Sequence, residues 1–253
     1  MSLKNHTTDT IGALVEQTYR SFHLALTGLV AESMSGAVPT SARAMNTFRL
    51  NSDQLEQSTL TAFANWLDSG LADASESAVN DAGAAGQVPE PLVADIVKTA
   101  RATRAEVLGI LSAALHKDCA VAAKRMRDFY LRVELMMVNE GCPYENAIRA
   151  VRIASQEKPL SFAVLDTRGR NWKPSVFAAA TVRAALQTTY ADAFVRIAAA
   201  RGASRVQVSY PDPAHEGNGQ ILAISDGGVH PSYLSVRDEI FHPNSSALLA
   251  VAG

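Results

Sequence analysis

The sequence predicts a mainly α protein with a small α+β domain at its C-terminal end, and three observations carry that expectation. Up to about residue 157 the apolar residues recur at helix spacing and no segment alternates as a strand does. A long alanine-rich run follows Pro174 and stops at Gly202. Beyond it come two short Val- and Ile-bearing runs separated by turn residues. The expected organisation is a helical region over 1–157, with a candidate joint at 72–91, followed by an α+β domain over 158–253. In that domain a long helix precedes short β-strands.

The first helix is read from Ile11, Leu14, Val15, Phe22, Leu26, Leu29 and Val30, with Asp9 as its N-cap and Gly36 and Pro39 as its stop. Residues 37–51 read as a loop or irregular arm. A second helix is expected from Ser52 or Asp53, where Asp53 and Glu56 have capping-box spacing, and it carries Leu55, Leu60, Phe63, Trp66, Leu67 and Leu71. The stretch 72–91 is small, acidic and glycine-containing, which suits a joint. Pro89 and Pro91 suit the first turn of a third helix running to about Leu115, because a proline there gives up an N–H that has no helical partner. A further helix is expected over 118–139 and a shorter one from Pro143 to about Ser155.

The character changes at Lys158-Pro159. An apolar run after residue 160 ends in a turn at Arg168-Gly169, and the alanine-rich helix follows Pro174. Val206 and Val208 alternate with polar residues as in a half-buried strand, and the loop 211-PDPAHEGNG-219 leads to a second strand at 220–224. A glycine turn at 226–228, a short helix over 232–240 and a final His-Pro-Asn segment complete the chain.

Bulk properties narrow the function classes. The 253 residues are 47% hydrophobic and 19% charged, with a net charge of -2, so the whole chain has no strong pull toward nucleic acid or anionic membrane. Cys119 and Cys142 are the only cysteines; they offer no disulfide framework and fit a reducing compartment. The N-terminus lacks signal-peptide design, and no apolar run reaches the roughly 18–20 residues that span a bilayer, so a cytoplasmic origin is expected. Charge is uneven: residues 1–97 hold four basic against eleven acidic groups, whereas 117–173 hold eleven basic against seven acidic. Such asymmetry suits either two different neighbours or two solvated helix faces.

Candidate chemistry is sparse. Asp212, His215, Glu216, His230 and His242 all fall near the C-terminal end, and Asp212, His215 and His242 are the residues to examine for a metal. None has the HxxxH or HExxH spacing that places two ligands on one helix face, and no metal or cofactor is expected. Ser209, Ser225, Ser245 and Ser246 lack a GxSxG elbow. Cys142, between Gly141 and Pro143, stands at a helix start where a thiolate would be favoured, although a lone cysteine in a helical protein is usually a small buried hydrophobe. Neither 217-GNG-219 nor 226-DGG-228 has a Walker lysine. Lys124, Arg125, Arg127 and Arg132 are the candidates for DNA contact, interrupted by Asp128 and spread over more than one helix face. Thr188, Thr189, Tyr190 and Asp192 are polar positions amid alanines, with Tyr190 expected to be half buried and its hydroxyl anchored.

Taken in order, 181-TVRAALQTTYADAFVRIAAARGASRVQVSYPDPAHEGNGQILAIS-225 and 239-EIFHPNSSALL-249 resemble the C-terminal domain of tailed-phage minor capsid or head morphogenesis proteins, the Mu F-like group. The matching positions are Arg183, Thr188, Tyr190, Gly202, Val206, Val208, Asp212, His215, Gly219 and His242-Pro243-Asn244. The resemblance covers about seventy residues, under a third of the chain. It implies a non-enzymatic virion protein that contacts the portal or major capsid protein, inside the head or at the portal vertex, and passes through the host cytoplasm during assembly. Relatives often carry cysteines after His-Pro-Asn and near the D…H segment. Here those places hold Ser245, Ser246 and Glu216 or Gly217, so no thiol or metal role carries over. The His/Pro turns are therefore expected to form a structural clasp in which His and Asn side chains satisfy backbone groups where the loop after one strand meets the tail. Two alternatives stand beside this reading: an enzyme such as an ADP-ribosyltransferase, for which Asp238-Glu239 is the nearest acidic pair, and a DNA-binding packaging factor.

Overall fold

The computed structural model describes residues 3–35, 40–83, 88–156, 160–165, 169–225, 229–242 and 245–252, with 3–6 as backbone alone. Its elements run α1 (Leu3–Ser33), α2 (Ser41–Asp81), α3 (Glu90–Glu140), α4 (Tyr144–Gln156), β1 (Val164–Leu165), β2 (Asn171–Trp172), α5 (Pro174–Ala200), β3 (Arg205–Ser209), β4 (Ile221–Ala223), α6 (Tyr233–Ile240) and β5 (Leu248–Val251). The protein is mainly α with a few short antiparallel strands in its C-terminal part, as the sequence predicts.

The first three helices are longer than expected, for identifiable reasons. Helix α1 extends back past Asp9 to Leu3, since nothing in residues 3–8 breaks a helix once the following turns are formed. Helix α2 begins at Ser41 rather than at Ser52. Thr40 caps it, accepting from Arg43 N at 3.3 Å, and Ala44 and Phe48 are buried one turn apart on the supposed arm. Ser52, read as a cap, sits inside the helix with its hydroxyl donated to Arg49 O at 3.0 Å. The candidate joint is helical as far as Asp81, because Ala74, Ala78 and Ala82 form a buried face. Residues 84–87 of it lie outside the described residues. Helix α3 passes unbroken through 115–118: His116 and Lys117 are exposed, while Asp118 is buried with side-chain partners.

Two compact units are assembled from separated stretches: one from residues 1–16, 63–109 and 178–253, the other from 17–62 and 110–177. In the second unit Tyr19, Phe22, Leu26, Phe48, Leu111, Leu115, Met126, Phe129 and Val133 are buried. A polar knot lies among them. Asp118 Oδ2 accepts the Tyr19 hydroxyl at 2.8 Å and lies 2.7 Å from His23 Nε2, and the His23 ring stacks on Phe162 with centroids 4.3 Å apart. The short β1–β2 pair also belongs to this unit and is antiparallel, with Val164 opposite Trp172.

The other unit is built around α5. Its core joins Ala74 and Ala78 of α2, Ala82 just past its end and Ile96 of α3 to Tyr190, Phe194, Ile197 and Ala198 of α5, and onward to Val206, Val208, Leu222, Tyr233, Phe241 and Leu249. The sheet has the order β4-β3-β5, all antiparallel. Val206 and Val208 are fully buried while Arg205 and Gln207 face out, the alternation expected of a half-buried strand.

Candidate functional site

Helix α5 starts at Pro174, where a missing N–H costs nothing, and stops in a Schellman turn. Ala203 N reaches Ala198 O at 3.0 Å and Gly202 N reaches Ala199 O at 2.9 Å, which requires the left-handed backbone of Gly202, φ 87°. The chain then enters β3 directly. Gly202 of the resemblance is thus a helix stop set by backbone geometry.

The loop after β3 is closed by its own side chains. Asn218 Oδ1 accepts from Tyr210 N at 2.6 Å, and Asn218 Nδ2 donates to Asp212 O at 2.6 Å. Asp212 Oδ1 accepts from Ala214 N at 2.9 Å, and His215 Nδ1 accepts from Gly217 N at 3.0 Å. The His215 ring stacks on Tyr210, centroids 3.6 Å apart. Gly219, φ 81°, returns the chain so that its N–H meets Val208 O at 3.0 Å. Asp212, His215 and Asn218 each satisfy backbone groups within a nine-residue span, inside the loop itself rather than where it meets the tail.

The tail is tied to the same frame. Gln187 Nε2 donates to Ser245 O at 2.9 Å, Ser245 Oγ accepts from Ala247 N at 3.1 Å, and the Ser245 side chain bonds the Tyr210 hydroxyl. Ser245 N closes on His242 O at 2.9 Å. Pro243 and Asn244 lie outside the described residues. Ser245 therefore has a hydrogen-bonding use.

Further contacts fix the helices to the module. The Tyr190 hydroxyl donates to Asp81 Oδ2 at 2.8 Å. Burial first, and Asp81 second, push its pKa well above the ordinary tyrosine value, while the nearby Leu249 amide pulls the other way. Tyr190 is fully buried rather than half buried. Asp192 accepts Tyr233 Oη at 2.6 Å and Arg237 at 3.2 Å, joining α5 to α6. Burial, then Asp192, likewise raises Tyr233. Thr188 turns its hydroxyl back to Ala184 O at 2.9 Å. The Arg183 side chain lies over Gly12 of α1, its Nε 3.9 Å from Asp9 Oδ1. Arg201 donates to Ala82 O and caps the end of α2.

Sequence reasoning missed Arg201, Asp81 and Gln187. Each is paired with a residue 58 to 119 positions away, so no local window reveals it. An arginine directly before the helix-ending Gly202 is the only sequence cue.

The metal candidates are not brought together. Among the described residues no group of three or more His, Cys, Asp or Glu is placed to hold an ion. Asp238 and Glu239 are exposed on α6, and Asp238 accepts Arg237 Nε at 2.8 Å. Cys119 is buried, and burial together with Glu56 pushes its thiol up to about 12. Of the candidate DNA contacts, Lys124, Arg127 and Arg132 are exposed, whereas Arg125 donates to Ser155 O. Phe129 and Tyr130 between them are buried, so neither is presented for base stacking. Among the described residues no helix is long and apolar enough to cross a membrane. No family model matches the chain, and no curated protein or solved structure does either.

Proposed function

We propose that the chain is a minor, non-catalytic structural protein of a tailed-phage head that binds the portal or the inner capsid face, acting in head assembly or genome delivery. One observation carries this reading: the residues of the resemblance are spent on holding a small module rigid. Gly202 stops α5; Asp212, His215 and Gly219 shape the loop; and Ser245, just past the His-Pro-Asn segment, is tied back to α5 through Gln187. A rigid module presented on long helices suits docking, where order gained before binding need not be lost during it.

Quantitative mass spectrometry of purified, DNA-filled particles tests the proposal. Recovery of the chain at a few to a few tens of copies per particle is the expected result. Absence from particles, with no affinity for portal or capsid protein, would overturn it.

A second reading, contact with packaged DNA, is favoured by charge. The unit formed by 17–62 and 110–177 carries 14 Lys and Arg against 10 Asp and Glu, while the other carries 9 against 15. Duplex binding that weakens steeply with salt supports this reading, and negligible binding at low salt removes it.

A further inference from the structure

Strand β5 is the edge of its sheet, and an open groove of about 610 Å³ runs beside it. The groove is lined by Leu249, Ala250 and Val251, by the end of α2 at Asp81–Gly83, and by the end of α5 from Ala198 to Ala203. Its volume falls within the roughly 300–1,000 Å³ typical of binding clefts.

The ladder determines what β5 offers to the groove. Ala252 N donates to Arg205 O at 3.2 Å, and Val206 pairs with Val251, Gln207 with Ala250 and Val208 with Leu249. Hydrogen-bonded and non-bonded pairs alternate along an antiparallel ladder, so the N–H and C=O of Leu249 and Val251 point away from β3. The Leu249 amide meets the Tyr190 hydroxyl. Val251, half exposed, leaves its backbone donor and acceptor toward the groove, with the Leu249 carbonyl beside them. Such a row is matched best by the backbone of another extended strand.

Charge narrows the occupant. Two helix C-termini, those of α2 and α5, end at the groove, and each carries about half a negative charge. The exposed Asp81 carboxylate adds a full negative charge and the Arg201 guanidinium, donating to Ala82 O, a full positive one, so with the two helix ends the groove keeps about one net negative charge. The local field favours a cation. Ala198, Ala203 and Leu249 give the groove an apolar lining suited to small side chains.

We propose that this groove takes an extended, basic segment of another polypeptide, added to β5 as a further strand with a lysine or arginine near Asp81. The inference stands on the groove alone and is independent of the virion reading. About four residues of the segment would pair, the length of β5.

The test uses the full chain and a fluorescein-labelled heptapeptide of alternating Val and Thr around one central Lys, followed by anisotropy at low salt. A comparator carries Glu in place of Lys. Saturable binding is expected, about five- to tenfold tighter for the Lys probe. Val251→Pro removes the outward N–H without touching the ladder and is expected to weaken binding at least about tenfold, whereas Val251→Ala retains it. Asp81→Asn keeps an acceptor for Tyr190 and should erase the preference for Lys. A probe N-methylated at alternate residues loses backbone donors and should not bind, a check that does not depend on any variant folding. No saturable binding, equal binding by Val251→Pro and the methylated probe, or equal affinity for the Glu probe would each overturn the proposal. Self-association of the chain abolished by Val251→Pro would also overturn it, by putting a second copy in the groove.

Discussion

At the scale of single residues, the tyrosines have displaced pKa values, and the deepest of them are buried anchors. All six tyrosines are raised above the ordinary value of 10.0, with burial as the leading cause in each. An unfolded chain ionises its tyrosines near 10, while the folded chain keeps the deepest, Tyr19, Tyr190 and Tyr233, protonated beyond that. Their contribution to stability is therefore complete below about pH 10 and is lost as pH rises toward the folded values. Urea midpoints should hold steady from neutral pH to about 10 and then drop, and phenolate absorbance should appear in step with unfolding. Cys119 makes a companion prediction. With its thiol pushed up to about 12 and its side chain buried, it should resist a thiol-specific chromogenic reagent at pH 8 and react only on unfolding. Tyr233→Phe takes one of the two donors from Asp192 and should cost about 1–2 kcal/mol by urea denaturation, a loss that Phe packing does not restore.

At the scale of elements, close helix approach depends on small residues. A Cβ built on Gly70 of α2 would lie 2.9 Å from Leu186 Cδ2 and 3.5 Å from Ile11 Cγ1. Gly70→Ala gains about 1 kcal/mol of helix propensity but meets overpacking of about 1–3 kcal/mol, so net destabilisation of about 1 kcal/mol is expected in thermal or urea melts. The same elements mark how far the sequence can be read. The helices were legible because Val15, Phe22, Leu26, Phe63, Leu67 and Leu111, chosen on spacing, are all buried. Their ends were not. Ser52 reads as a cap, yet an i−3 carbonyl satisfies its hydroxyl inside a helix. A new helix is expected from residue 118, yet Asp118 lies inside α3, satisfied by Tyr19, 99 residues away. The clasp was legible only in part: Asp212, His215 and Asn218 bond within their own loop and not to the tail. Its anchors on α2 were not, since nothing near Asp81 in sequence announces Tyr190.

At the scale of the whole molecule, the sequence suggests a division at 157/158, but the compact units are formed from interleaved stretches. The apolar face of α5 packs on Ala74, Ala78 and Ile96, all outside 158–253. A fragment of residues 158–253 alone should therefore expose that face and give poorly dispersed amide spectra or aggregate; a dispersed, cooperatively melting fragment would contradict this. The interleaving also has a temporal side. Every stretch of one unit has been synthesised once residue 177 is made, but the other unit has its first two stretches early and needs 178–253 to close. At bacterial and eukaryotic elongation speeds, those early stretches wait roughly 7–30 s for their partner. Arg201, which caps α2 at Ala82, is among the residues they wait for. During that interval the alanine face of α2 is open to chaperones, and synonymous codons that slow translation between residues 110 and 200 would lengthen its exposure.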